Sequence, residues 1–445
     1  MKLTLSYRQI VAISAPIMIG SAAQNIIALS DSIFLYHRSQ TDFAAIGFVG
    51  VFYLIITAIG YGFSRGGQIL VARRVGEGDY KTAGQHFYTI LFVEIALAIL
   101  FFCFLRFGAD AFLRFFVDTD AIHSRSMNYL HFRAWGVFPA FLGVTIVAFY
   151  TGIARTKFIM IDTLVLIVVN IILNYGLIYG RWGLPEMGIA GAGLASTLAE
   201  IVALFVFAVY MFFDKGLKRY LLRKIQIPSW PEMKQNLNVG SPIVAQAVVG
   251  LGSWFVFFSV IENMGERELA ISNLGRIVYL ILSVPCWGFS VGVNTLVSNL
   301  IGSGESKKVG LAIEKTIKIC VASTMCLAIP VLLFPTTILY PFFGASDMSL
   351  FLEAKPVFYV LFVILLLFSI GGVYFNGMIG TGATWQGLKM QLICAAIYMV
   401  SIYLVVNVFK LGLVISWTME VIYWIPLIYM VRIYMYKGQW LRLNI

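Results

Sequence analysis

Asp31 interrupts the apolar stretch IIALSDSIFLY, and a carboxylate in such a setting is costly to ionise. It can act as a proton carrier that also neutralises a cation, or, lying near a helix end, it can simply be solvated by an outer loop. Asn170 and Asn174 stand one helical turn apart and so share a face. Their amides can hydrogen-bond an acid such as Asp31, present carbonyl oxygens to Na+, or join two helices. Arg65 lies deep in another apolar stretch, where it calls for an acidic partner, with Asp31 a candidate, or for an anionic head group. Glu94, Glu200 and Glu420 are isolated acids of the same kind, and a pairing partner is expected for Glu94. Asn273, Arg276, Asn294 and Asn299 are polar positions that could line one wall of a cleft. Phe149, Trp254, Tyr279 and Trp417 are aromatic candidates for the same role, and Trp182, Tyr220 and Trp440 for interfacial anchors.

These residues need elements that hold them in an apolar medium. Of 445 residues, 60% are hydrophobic and 12% charged, against roughly a quarter charged in a soluble domain. The apolar runs recur along the whole chain, so the expected class is an all-α membrane protein. Runs bounded by charge, Gly and Pro predict twelve transmembrane helices, at 9–34, 44–71, 84–105, 127–150, 158–179, 188–212, 237–260, 269–299, 309–334, 354–378, 388–409 and 412–434. The first run is too long for a signal peptide and is read as a retained helix. Nineteen basic residues fall on alternate flanks, six of them between 215 and 234, against eight on the others. By the positive-inside tendency both termini are expected in the cytoplasm of a multi-pass protein of the plasma or inner membrane. The net charge of +11 then reflects basic loops near anionic lipid rather than nucleic-acid binding.

The chain contains itself twice. Residues 62–78 read GFSRGGQILVARRVGEG, and residues 288–304, at an offset of 226, read GFSVGVNTLVSNLIGSG; eight of the seventeen positions are identical. The same offset aligns Pro16 with Pro242, Ala44 with Ala270 and Lys81 with Lys307. An even number of helices per copy makes this a parallel repeat. The expected layout is an N-lobe over 1–216, a basic cytoplasmic linker over 217–236 and a C-lobe over 237–445, which together form a pseudo-symmetric pair of six-helix lobes. The glycines suit close helix packing, and those at 76, 78, 302 and 304 suit helix ends.

The sequence resembles the multidrug and toxic compound extrusion (MATE) transporters. The likeness shows in Pro16 followed by Asp31-Ser-Ile-Phe, in AAIG at 44–47, in GFSRGGQILVARRVGEGD at 62–79, in TGIARTKF and in NIILNYGLIYGRWGLPEMGIAGAGLAS at 170–196. It implies a cation-coupled exporter with a V-shaped pair of lobes, in a fold group that also holds lipid-linked sugar flippases. The family's first-helix acid falls on Asp31 and a glutamine seven residues earlier on Gln24. Its N-x-x-x-D motif falls on Asn170 and Asn174, and its sixth-helix hydroxyl on Ser196. The second acid of that motif is here an amide, and no carboxylate stands early in the seventh helix.

The reading that follows is a secondary active exporter of amphipathic, mostly cationic compounds. Asp31, Asn170, Asn174 and Ser196 form its coupling site, and Gln24, Arg65, Asn273, Arg276 and Asn294 its cleft candidates. H+ or Na+ is the coupling ion, with Asp31, Asn170 and Asn174 as the Na+ ligands; a single carboxylate favours H+. No further cofactor is expected, and the partners are small molecules and membrane lipids around a monomer. The rival is a flippase for lipid-linked or anionic substrates, with Arg65, Arg133 and Arg276 as its cations. A membrane enzyme finds no support: four histidines lack ligand spacing, five cysteines lie in apolar runs, and no Walker A motif is present.

Overall fold

The computed structural model describes residues 5–117, 119–335 and 348–443; the side chains of residues 21–25, 28, 29, 348 and 351 lie outside the described set. Among the described residues there is no strand. The first half contains α1 (Tyr7–Tyr36), α2 (Gln40–Glu77), α3 (Tyr80–Cys103), α4 (Asp120–Arg133), α5 (Val137–Gly152), α6 (Lys157–Tyr179) and α7 (Ile189–Phe213). The second contains α8 (Trp230–Glu262), α9 (Glu266–Leu282), α10 (Val284–Gly302), α11 (Val309–Leu333), α12 (Met348–Gly380), α13 (Thr384–Tyr403) and α14 (Leu413–Tyr436). In a bilayer core each backbone N–H and C=O needs an internal partner, which is why apolar runs of this length become helices.

Among the described residues ten helices are each long and apolar enough to cross a membrane, and the α4–α5 pair, bent by 56°, is long and apolar enough to count as an eleventh span. The 30-residue α1 is the twelfth. The expected count of twelve holds, with two spans broken. The eighth breaks at Ser283, where Pro285 sits in the first turn of α10 and withholds a backbone donor. Its counterpart in the first copy, α2, has isoleucine at the equivalent position 59 and runs unbroken for 38 residues. The division between the last two spans is made by a π-helical turn at Leu404–Val408 and an extended Gly412 before α14.

The chain forms two compact units. One spans Ile19–Val244; the other combines Met1–Met18 with Ala245–Ile445. Both boundaries fall inside helices, α1 and α8, just after their internal prolines Pro16 and Pro242. Within the Ile19–Val244 unit, α2 meets the start of α8 backbone to backbone. A Cβ on Gly66 would stand 2.6 Å from the Gly240 Cα, and one on Gly62 would stand 2.9 Å from the Val244 Cα. Within the other unit, α10 meets the start of α1. A Cβ on Gly288 would collide with the Met18 side chain, and one on Gly292 would collide with the Ser14 hydroxyl. The 226-residue offset carries each contact onto the other. Gly78 and Gly304, also equivalent, take φ of 83° and 75° at their helix ends, a left-handed conformation in which a side chain is strained.

Two apolar clusters hold the Ile19–Val244 unit. One gathers Leu35, Val49, Tyr53, Leu105, Tyr129, Phe141 and Ile178; the other gathers Val71, Phe87, Phe149, Tyr150, Phe207 and Tyr220. Tyr220 is therefore core, fully buried beside Tyr80 and Phe149, rather than an interfacial anchor. Trp440 is buried too, whereas Trp182 is exposed as expected. Of the cysteines, Cys286, Cys320 and Cys394 are buried, while Cys103 and Cys326 lie on the exposed surface.

Candidate functional site

Four residues from three helices close a ring of hydrogen bonds inside the Ile19–Val244 unit. Asp31 comes from α1, Asn170 and Asn174 from α6, and Ser196 from α7. The Asn174 amide nitrogen donates to Asp31 Oδ1 at 2.6 Å and to Asn170 Oδ1 at 3.1 Å. The Asn170 amide nitrogen donates to Ser196 Oγ at 3.0 Å, and the Ser196 hydroxyl donates to Asp31 Oδ2 at 3.1 Å. All four side chains are buried, Asn170 and Asn174 completely. The spacing of four along α6 puts both amides on one face, and the glycine- and alanine-rich start of α7 (IAGAGLAS) brings its backbone close to α6. A Cβ on Gly191 would stand 2.6 Å from the Leu177 carbonyl oxygen.

The chemistry of the ring is that of an anion being hydrogen-bonded. Both carboxylate oxygens accept, and the two amide nitrogens and one hydroxyl supply the donors. Asn174 Oδ1 is buried with no hydrogen-bond partner. In this arrangement the Asn174 nitrogen, not its oxygen, faces Asp31 and Asn170. A Na+ held by Asp31, Asn170 and Asn174 would require the Asn174 amide to turn its oxygen inward.

A buried ion pair stands beside the ring. Arg133 of α4 donates from both Nη atoms to the two carboxylate oxygens of Glu200 on α7, each at 2.6 Å. Its guanidinium carbon lies 4.1 Å from the centre of the Tyr53 ring. Tyr129 stands one turn before Arg133 on α4 and is buried as well. This pair answers the open question about Glu200 and occupies Arg133, one of the cations a flippase reading relied on. The bidentate pairing, Tyr53 and Tyr129 were not foreseen, because the sequence does not show which of several isolated charges face each other.

Other expected site residues are placed as follows. Both Asp31 oxygens are held by Asn174 and Ser196, not by Arg65, which is half-buried on α2. Glu94 pairs with a hydroxyl, accepting from Ser64 Oγ at 2.7 Å. Gln24 lies outside the described side chains. Asn294 is 1% exposed in the interior of α10, away from any open wall. Phe149 and Trp417 are likewise core, and Trp417 donates to Ser272 Oγ at 3.2 Å. In the unit containing Ala245–Ile445, α8 and α9 bring Trp254, Phe258, Arg276 and Tyr279 together, with Asn273 half-buried on α9. At the ends of the spans, Arg38 holds both Asp42, at 2.5 Å, and Glu186, at 3.1 Å, while Arg125 also approaches Asp42. Arg267 pairs with Glu353.

Known proteins share this layout. A protein named a probable multidrug resistance protein NorM from Thermotoga maritima is 23% identical over 417 residues, covering 92% of this chain and 88% of its own. A second of that name, from Synechocystis, is 25% identical over 341 residues, 76% of this chain and 74% of its own. A solved structure described as the outward-facing conformation of a multidrug resistance MATE family transporter of the MOP superfamily superposes with a TM-score of 0.87 at 21% identity. It covers 98% of this chain and 96% of that one. A MATE crystal structure in the straight conformation gives 0.86 at 21% identity, covering 96% of each. The MatE family profile matches twice, over residues 16–176 and 242–404. Those two matches begin 226 residues apart, at Pro16 and Pro242, so the duplication and the profile describe one pattern, and the chain belongs to the MatE family.

Proposed function

We propose that this chain is a secondary active multidrug exporter of the plasma or inner membrane, with Asp31 as the residue that couples substrate export to inward proton movement. The hydrogen-bonded ring around Asp31 carries the reading. It contains one carboxylate, so one proton neutralises it. When Asp31 is ionised, Asn174 and Ser196 donate to its two oxygens. When it is protonated, its hydroxyl needs an acceptor, and the unspent Asn174 Oδ1 supplies one by rotation of the amide. That rotation also removes the donor to Asn170 Oδ1, so the neutral ring needs the Asn170 amide to turn with it and donate to Asn174 Oδ1, two side-chain rotations with no change of backbone. Family membership and the names of the relatives support export of small molecules. The absence of a second acid at 174 supports H+ over Na+ as the coupling ion.

The test is efflux of ethidium from liposomes containing the purified protein, with pH and Na+ gradients imposed separately. The wild type is expected to respond to the pH gradient and to be indifferent to Na+. Asp31→Asn is expected to lose gradient-driven efflux while keeping its expression level and unfolding transition. Undiminished efflux in that variant would remove Asp31 from the mechanism.

A further inference from the structure

We propose that Arg276, with Trp254, Phe258 and Tyr279, forms a subsite for the acidic group of an aromatic organic anion, so that the exported compounds include carboxylates or sulfonates carried on a flat ring system. The assignment rests on the reading of the chain as an exporter.

Arg276 lies inside α9, nine residues after Arg267, whose pairing with Glu353 and Ser349 ties down that end of the helix. Nine residues of helix put Arg276 about 14 Å further along the axis. Arg276 is exposed. Among the described residues no carboxylate pairs with it, and its one close contact of note is the Phe258 ring, 5.1 Å from its guanidinium carbon. Its two counterparts behave differently: Arg133 is taken up by Glu200, and Arg267 by Glu353. An unpaired guanidinium facing lipid at this depth is costly, and intramembrane arginines face protein interior or a water-filled cavity. Arg276 therefore presents an unspent charge and a planar set of donors to an aqueous pathway.

The surroundings define what would bind. Trp254 lies 5.2 Å from Tyr279 and 5.8 Å from Phe258, ring centre to ring centre. Tyr279 stacks on Phe368 at 6.0 Å and 22°. Asn273 and Tyr279, three residues before and after Arg276, share its face of α9. Aromatic faces attract cations, but here the Phe258 face already holds Arg276, and the same positive charge repels a second cation. A carboxylate or sulfonate meets the guanidinium fork with two parallel hydrogen bonds. A flat apolar ring attached to it can then lie against the half-buried Trp254, which the buried Tyr279 backs.

Calorimetric titration of the purified full-length protein with 2-naphthoate, and with naphthylmethylammonium as a cation of matched size, tests the subsite. Arg276→Gln is expected to weaken naphthoate binding about ten- to a hundredfold, the loss of charged hydrogen bonds. Arg276→Lys, which keeps the charge and loses the fork, should fall between. Trp254→Ala should weaken naphthoate, and the ammonium probe should bind Arg276→Gln no worse than wild type, which also reports a folded variant. Naphthoate binding that is unchanged in Arg276→Gln, or absent in the wild type, overturns the proposal. Asp31→Asn separates the two readings: it should retain naphthoate binding and lose gradient-driven efflux. If it keeps efflux, the coupling role of Asp31 falls while the Arg276 subsite stands.

Discussion

One amide, Asn174, decides what the hydrogen-bonded ring around Asp31 can do. It spends its nitrogen on Asp31 and Asn170 and leaves its oxygen unpaired. Asn174→Asp would put a second carboxylate 2.6 Å from the first, at the distance the amide nitrogen now holds. Two like charges that close in a low-dielectric interior do not both ionise, so the pair shares a proton and titrates as a unit. The added acid, with Asn170 Oδ1 and Ser196 Oγ, also makes an all-oxygen set of the kind Na+ prefers. Asn174→Asp is therefore expected to move the pH optimum of efflux upward or to make efflux respond to Na+. Initial efflux rates from liposomes across a pH series, with and without Na+, check this. A profile identical to wild type in both would mean that residue 174 serves only to join α6 to α1. The residue types at 31, 170, 174 and 196 were legible in the sequence, three by their setting in apolar runs and Ser196 through resemblance. Their hydrogen-bond order was not, since it depends on which way each amide faces.

At the scale of helices, the repeated glycines act through backbone approach. Little hydrophobic drive exists between helices in lipid, so contact must come from packing, which needs small residues. The Gly66–Gly240 and Gly292–Ser14 crossings are equivalent by the 226-residue offset, and neither has room for a Cβ without movement of its neighbour. In both cases the partner is the first part of a proline-containing helix. Gly66→Val and Gly292→Val are each expected to cost about 1–3 kcal/mol by overpacking. Gly47→Val, where a Cβ meets nothing within 4 Å, should be nearly neutral. Unfolding of the purified protein in a denaturant series measures all three. A loss at Gly47 equal to that at Gly66 would show that helix propensity, rather than crossing distance, sets the cost. The broken spans are also an element-scale matter. Pro285 marks the eighth in the sequence, whereas the 56° bend between α4 and α5 occurs at Ala134–Gly136 with no proline in the break.

For the whole chain, the arrangement across the membrane follows from where basic residues fall. The segment around Ser229, between α7 and α8, joins the richest basic flank, with six Lys and Arg between 215 and 234. Such flanks stay on the cytoplasmic side. A Ser229→Cys variant in a background without the exposed Cys103 and Cys326 is expected to react with a membrane-impermeant maleimide in inverted vesicles and not in intact cells. Labelling in intact cells would reverse the orientation of all twelve spans. The two profile matches, each about 160 residues long, each cover the first five of the six spans expected in a copy. The compact units nevertheless exchange the first segments of α1 and α8, so the sequence repeat and the packing unit are not the same stretch of chain.

The sequence by itself determined the number of crossings, the duplication and the residues that meet in the buried ring around Asp31. Each of these rests on a one-dimensional signal: apolar length set by bilayer thickness, identity at a constant offset, and a polar residue where apolar ones are required. Only the tertiary structure decided the pairings. Asp31 takes Asn174 and Ser196 rather than Arg65, Arg133 takes Glu200, Glu94 takes Ser64, and Arg276 lies over an aromatic ring with no acid among the described residues. It also sent Phe149, Trp417, Tyr279 and Asn294 into the core and left Trp254 half-buried near Arg276. The reason is geometric: a hydrogen bond or ion pair needs atoms within about 3 Å. In a bundle of long helices, rotation about each axis and the depth of each residue set that distance, and neither is written in the spacing along one chain.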